Sequence, residues 1–141
     1  MHLVRFKAYG HENVIGNHKT TVEITTEGFL TKQGTCIVGV RATQRLSDLS
    51  SEIKESVTLK TTKIILIMEI DGMIEKITGT GGKDLTYTDS TSMVARTSSY
   101  QSDRTLMINA DKAASDLSRE FIDLLKNDSV EINCELQFIL G

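Results

Sequence analysis

The chain has 141 residues, of which 25% are charged, and its formal net charge is −3. This length fits a single domain, residues 1–141, with a full hydrophobic core, and the acidic balance argues against a general nucleic-acid coat or a membrane-surface protein, which would be basic. No apolar run approaches the ~18 residues of a membrane-spanning helix, and the N-terminus lacks the apolar block of a signal peptide, so we expect a cytoplasmic protein.

The first half of the chain predicts four strands and one helix. Alternating polarity and β-branched residues place the strands at Leu3–Tyr9, Lys19–Thr25, Cys36–Ala42 and Ile64–Ile70. Before the fourth strand, apolar residues recur at helical spacing after Thr43, which is a good N-capping residue. This apolar stripe comprises Leu46, Leu49, Ile53 and Val57.

The dipeptide Asp71-Gly72, between Ile70 and Met73, is the strongest turn signal in the sequence. It predicts a hairpin that joins the two halves of the chain directly. Such a hairpin favours one interdigitated domain over two independent ones.

The second half predicts the same order of elements. Its strands are expected at Met73–Thr78, Thr91–Arg96, Thr105–Ala110 and Ile132–Phe138. Its helix follows Asp111, which we predict to be the N-cap. The apolar stripe of this helix comprises Ala114, Leu117, Phe121, Leu124 and Leu125.

An internal repeat explains this shared order. The stretch VRATQRLSDLSSEI, which starts at Val40, matches INADKAASDLSREF, which starts at Ile108, at six of fourteen positions. The offset is 68 residues here and 71 in the earlier part, where Gly10 matches Gly81. We therefore predict a duplicated β-β-β-α-β unit, with pseudo-two-fold repeats at about 1–71 and 72–141. The expected fold is mainly β (β-rich α+β), an eight-stranded β-sandwich with two helices, and a closed double-psi-like barrel is the alternative.

The cysteines and histidines give no metal motif. Cys36 and Cys134 have no CxxC or CxxH spacing, and we interpret them as reduced thiols, with a disulfide as the minority alternative. The histidines have no HxH or HxxxH spacing. We therefore predict no metal site and no cofactor.

Three segments resemble an archaeal family known as domain of unknown function 371: GHENVIGNHKTTVEIT, FLTKQGTCIVGV and RTLMINADKAASDLSREFIDLL. The resemblance extends from about Phe6 to the last strand, which is nearly the whole chain. It implies a small archaeal cytoplasmic protein with a sandwich-like β fold, and it implies no assigned activity, substrate or cofactor. The motif residues of the family recur here at Gly10, His11, Asn13, His18, Lys19, Thr20, Thr21 and Glu23, and again at Arg104, Thr105 and Ala110–Ala114.

The chain departs from the family pattern at two places. Where family members have a Thr-His pair in the second half, this chain has Thr88-Asp89. The Ala-Asp-Lys that precedes both helices in the family is Ala42-Thr43-Gln44 in the first copy. If a symmetric site requires both histidines, this chain has lost half of it.

Candidate catalytic residues lie in GHENVIGNHKTT, which contains His11 and His18. Imidazole serves as a general base near neutral pH, and the repeat places Asp89 at the position of His18. Convergence of these positions at a pseudo-two-fold axis would form a His18/Asp89 pair, with His11 or Glu23 nearby. The alternative is a histidine that closes the turn before the second strand by hydrogen-bonding backbone groups.

Candidate ligand-binding residues are Asn13, Lys19, Arg104 and Lys112. Lys112 is predicted at the first turn of a helix, a place suited to anions, and Arg104 lies on the preceding strand. The alternative for these two cations is a solvated ion cluster with neighbouring aspartates. The segment GTGGKD at 79–84 lacks the GxxxxGK[ST] pattern, and we interpret it as a turn instead of a phosphate loop.

Because no catalytic motif is present, our first hypothesis is a cytoplasmic binding module for a small anionic ligand or a macromolecular partner. The alternative is a hydrolase or lyase of a phosphorylated or acylated small molecule, with His18 as base and Asp89 as its orienting partner. In that reaction Lys19, Arg104 and Lys112 would neutralise developing charge. A second alternative is RNA binding through a local basic patch, against which the dispersed tyrosines argue.

Overall fold

In a computed structural model that describes all of residues 1–141, eight strands and two short α-helices form two layers. A single 3-10 turn precedes each helix, at Leu46–Asp48 and at Ala114–Asp116. No helix is both long and apolar enough to span a membrane. The elements are β1 (His2–Tyr9), β2 (Thr21–Thr25), β3 (Ile37–Gly39), α1 (Ser51–Ser56), β4 (Lys63–Ile70), β5 (Met73–Thr80), β6 (Ser92–Arg96), β7 (Thr105–Met107), α2 (Arg119–Leu125) and β8 (Glu131–Ile139).

The strands form two four-stranded sheets, so the prediction of a mainly β sandwich with two helices is confirmed. Sheet A has the order β1-β8-β4-β5 and is antiparallel throughout. Sheet B has the order β3-β2-β6-β7, with an antiparallel central pair and two parallel edge pairs. The alternative of a closed barrel is not found, because only one isolated bridge joins the sheets at each edge: Tyr9 with Val40, and Thr80 with Ile108.

One contiguous core lies between the sheets and draws on both halves of the chain. Alternate side chains of the sheet A strands point into this core, because successive side chains along a β-strand point to opposite faces of the sheet. The core side chains of the central strands include Ile64, Leu66, Met68, Ile132, Leu136 and Phe138 from sheet A, and Val22, Ile24, Met93 and Ala95 from sheet B.

The predicted helix starts were wrong. Each α-helix begins later, after a serine N-cap whose Oγ accepts a backbone N–H: Ser50 for α1 and Ser118 for α2. Thr43 and Asp111 bond to strands instead. Their side-chain oxygens accept the backbone N–H of Lys7 on β1, at 3.0 Å, and of Thr78 on β5, at 2.9 Å.

The third strand of each half is shorter than predicted. β3 and β7 end at Gly39 and Met107 because the chain turns shortly afterwards at Arg41 and Asn109. Both residues have φ near +53°, which a continuing strand does not adopt.

The order of elements in residues 2–70 recurs in residues 73–139, and the pairing follows the same correspondence. In the antiparallel pair β2–β6, Glu23 lies opposite Val94, which is 71 positions later. In the pair β4–β8, Ile67 lies opposite Glu135, which is 68 positions later. The loops correspond too, since the N–H of Ser47 donates to Asp89 O and the N–H of Ser115 donates to His18 O.

Two glycines allow the close approach of β-strand ends to helix ends from the other half. A Cβ on Gly10 would lie 2.4 Å from Leu125 O, at the end of α2, and a Cβ on Gly81 would lie 2.4 Å from Val57 O, at the end of α1. Backbone carbonyls cannot move aside as a flexible side chain can. These positions therefore require glycine for steric reasons.

We expect Gly81→Ala to lower the free energy of unfolding by about 1–3 kcal/mol, the usual cost of overpacking. Gly28→Ala is the matched control, since its Cβ would meet only the Arg41 side chain at 3.4 Å. Urea denaturation of both variants measures the difference. Equal stability of the two variants would contradict the close approach of Gly81 to α1.

Candidate functional site

His18 closes the turn that leads into β2. Its Nδ1 accepts the backbone N–H groups of Thr20 and Thr21, each at 3.2 Å. Asp89 has the same place before β6, where Oδ2 accepts the N–H groups of Thr91 and Ser92 at 3.0 and 2.6 Å. The geometry thus supports the structural alternative for His18, and Asp89 serves its own turn in the same way.

The structure does not bring His18 and Asp89 together. Thr21 pairs with Arg96 at one end of the β2–β6 ladder, and Ser92 pairs with Thr25 at the other. These ends are four residue steps apart along the strand, which amounts to about 13 Å. Each side chain is anchored to its own end, so the predicted His18/Asp89 catalytic pair is not formed, because an antiparallel ladder separates positions that precede its two strands.

We expect His18→Ala to lower the free energy of unfolding by about 1 kcal/mol, because two backbone N–H groups lose their acceptor. His18→Asp should retain most of the stability, since an aspartate makes these bonds at position 89. Thermal denaturation compares the two variants. If His18→Asp is as unstable as His18→Ala, the turn-closing role is wrong.

The predicted ligand-binding residues do not converge either. Lys112 lies 3.7 Å from the carboxylate of Glu75, and Arg104 is exposed before β7. Lys19 is exposed before β2 and has no ion pair, whereas the Asn13 amide donates to Leu30 O at 2.8 Å. Arg104 comes directly before β7 and Lys112 comes five residues after it, and none of the four predicted residues lines either of the two clefts described below.

A polar network on the face of sheet B opposite the core contains the buried carboxylate of Glu23. Its Oε2 accepts the Ser92 hydroxyl at 3.0 Å, and its Oε1 lies 3.5 Å from Cys36 Sγ. Burial raises the pKa of the Cys36 thiol, and the negative charge of Glu23 raises that pKa further. Burial also raises the pKa of Cys134 to about 12. Both cysteines are free thiols in the structure, and their raised pKa values make them poor nucleophiles near neutral pH.

We expect iodoacetamide to alkylate Cys36 more slowly than free cysteine near neutral pH, because a raised pKa lowers the thiolate fraction. Glu23→Gln keeps the size of the side chain but removes its charge, so it should lower the pKa and increase the rate. Peptide mass spectrometry across a pH series separates Cys36 from Cys134. An unchanged pH midpoint in Glu23→Gln would show that Glu23 does not influence the thiol.

A first cleft of about 530 Å³ lies where the end of β1 meets the end of β3 and the turn between α2 and β8. It is lined by Tyr9, Gly10, His11, Gly28, Val40, Arg41, Asp128 and Ser129. The Arg41 guanidinium lies over the Tyr9 ring, 4.4 Å from its centroid, and donates to Asp128 O at 2.9 Å. His11 Nδ1 accepts the Asn13 N–H at 3.0 Å, so the neutral ring carries its proton on Nε2.

A second cleft of about 500 Å³ lies at the corresponding place in the other half. It is lined by Thr58, Leu59, Lys60, Thr80, Gly81, Gly82, Lys83, Gln101, Ile108 and Asn109. Lys60 and Lys83 form no ion pair with the protein, and no carboxylate lines this cleft. Lys60 belongs to no sequence motif, and the segment that contains Lys83 is predicted from the sequence to be a turn and not a binding site.

The backbone of the GTGGKD segment does not form a phosphate loop. The N–H of Gly81 donates to Thr62 O, and the N–H of Gly82 donates to Val57 O. These donors are therefore occupied within the protein. A Cβ on Gly82 would lie 2.5 Å from Gln101 Oε1, which accepts the Asp84 N–H at 2.8 Å, so the glycine makes room for this amide.

Neither cleft contains a cluster of His, Cys, Asp and Glu side chains that could hold a metal ion. The structure is that of a small β-sandwich with two free thiols and with one polar cleft at the corresponding place in each half.

The comparison with known proteins places the chain in a family. Residues 6–139 match the family described as Domain of unknown function (DUF371), and the chain belongs to it. An uncharacterized protein from Methanocaldococcus jannaschii is 48% identical over 120 residues, which cover 85% of this chain and 88% of the relative. The family resemblance seen in the sequence is therefore confirmed, and neither match assigns an activity.

Proposed function

We propose that the protein is a binding module for a small phosphorylated organic molecule, which the second cleft holds. The observation that carries this proposal is the pairing of Lys60 and Lys83 in one cleft with no lining carboxylate. Two ammonium groups without protein counter-ions favour an anion at this place. The cleft volume also lies in the range of small-molecule sites.

The remaining lining groups fit a phosphate ester better than a bare anion. Gln101 uses its carbonyl oxygen for the Asp84 N–H, and its amide nitrogen keeps two donors for a ligand. Asn109 is exposed and hydrogen-bonds no protein group through its side chain. Ile108 and the half-exposed Leu59 supply apolar surface for the organic part of the ligand.

We also propose that the two clefts arose from one ancestral cleft by internal duplication, with the repeats at about 1–71 and 72–141. The support is positional. Gly10 and Val40 of the first cleft correspond to Gly81 and Ile108 of the second, at the offsets of 71 and 68 that relate the strands. The free thiols Cys36 and Cys134 support our proposal of a reducing, cytoplasmic location.

The test is titration of the full chain with phenyl phosphate, monitored by amide chemical shifts. We expect shifts at Gly81 to Asp84 and at Asn109, and roughly tenfold weaker binding by Lys60→Gln/Lys83→Gln, which corresponds to about 1.4 kcal/mol. The control Lys32→Gln/Lys76→Gln removes the same charge from exposed positions outside the cleft. Phenol is the control ligand without a phosphate.

Equal affinity of the two double variants would overturn the second cleft as the site. Binding of phenol as tight as that of phenyl phosphate would overturn the role of the anion. Shifts confined to Lys19, Arg104 and Lys112 would instead support the residues that the sequence alone suggests.

A further inference from the structure

We propose that the first cleft is a separate binding site whose ligand is a zwitterion, a free α-amino acid. This inference goes beyond the proposed function because it concerns other residues and another class of ligand. The cleft contains a cation, Arg41, and an anion, Asp128, that are not paired with each other through their side chains. A ligand whose ammonium and carboxylate groups are attached to the same carbon matches this arrangement.

Arg41 is held in place but leaves most of its donors free. The Tyr9 ring lies against one face of the guanidinium, and Asp128 O accepts one N–H. The other four N–H groups have no protein acceptor. A planar group fixed in this way is suited to bind a carboxylate through two parallel hydrogen bonds.

His11 supplies a further donor for the same carboxylate. Because Nδ1 accepts the Asn13 N–H, the neutral imidazole presents an Nε2–H that no protein group accepts. His11 and Arg41 line the same cleft, each two residues beyond the end of its strand, β1 for His11 and β3 for Arg41. They offer two kinds of donor to one carboxylate group, which fixes its orientation.

Asp128 supplies the acceptor for the ammonium group. Its side chain is exposed and makes no hydrogen bond or ion pair, although its backbone oxygen accepts Arg41. An amino acid whose carboxylate lies on Arg41 brings its ammonium group within the same cleft as this carboxylate. The pairing is a charge-assisted hydrogen bond.

The second cleft lacks this combination. At the corresponding positions, Asn109 replaces Arg41 and Lys60 replaces Asp128, while Gly82 replaces His11. A lysine repels an ammonium group, so the second cleft does not accept the same ligand. The two clefts therefore have different specificities, and the failure of one proposal leaves the other standing.

The experiment is titration of the full chain with pools of the common L-amino acids, monitored by amide chemical shifts. Each amino acid of a pool that binds is then titrated separately. We expect shifts at Gly10, His11 and Arg41 and none at Gly81 to Lys83. The N-acetyl derivative of the binding amino acid lacks the ammonium charge and should bind roughly tenfold more weakly. The amide of the same amino acid lacks the carboxylate, and its binding should be weakened to a similar degree.

Asp128→Asn keeps the backbone acceptor for Arg41 and removes only the charge. We expect it to weaken amino-acid binding roughly tenfold and to leave binding of the N-acetyl derivative unchanged. The control Asp103→Asn removes an exposed carboxylate before β7 that lines neither cleft. Arg41→Gln should weaken the binding of both the amino acid and its N-acetyl derivative.

If no pool shifts the residues of the first cleft at millimolar concentration, the proposal is wrong. It is also wrong if Asp128→Asn binds the amino acid as tightly as Asp103→Asn does. Because Asp128→Asn keeps every hydrogen bond of the fold, this comparison decides the question even if Arg41→Gln does not fold.

Discussion

Every strand pair in sheet A joins a strand from residues 2–70 to a strand from residues 73–139. In sheet B the central pair of β2 with β6 does the same. Neither half can form sheet A from its own strands, because β8 lies between β1 and β4. The ladders of sheet A and the central ladder of sheet B therefore form only when both halves are present. The two clefts depend on the same exchange, since each combines a strand end from one half with the turn that follows the helix of the other half.

The strands of sheet A are predictable because burial on one face imposes a strict alternation, as in Phe6 and Ala8 of β1. The helix starts are not predictable in this way. The apolar spacing from Leu46 to Val57 runs without a break, although Ser50 is extended and separates the 3-10 turn from α1. Spacing reports which residues face the core. The backbone conformation between them depends on bonds to distant strands, such as those of Thr43 and Asp111.

The candidate site is less accessible from sequence than the fold. His11 does line a cleft, but Lys19, Arg104 and Lys112 were chosen from motifs near strands that turn out to separate them. Lys60 and Lys83 belong to no motif. They line the same cleft because the N–H groups of Gly81 and Gly82 donate to backbone oxygens at the end of α1 and in the turn after it. No sequence signal links these two segments. A single sequence shows which residue types are present, whereas the fold determines which of them lie close together.

The hairpin at Asp71-Gly72 has a counterpart at the chain ends. Ile70 lies opposite Met73 across the hairpin, and His2 lies opposite Phe138 across the β1–β8 pair, at the corresponding place in the other half. A short linker from residue 141 to residue 1 would therefore reproduce the connection that Asp71 and Gly72 make. Opening the chain at that hairpin would give a circular permutant in which each half takes the other's position along the chain, with every strand neighbour and both clefts retained.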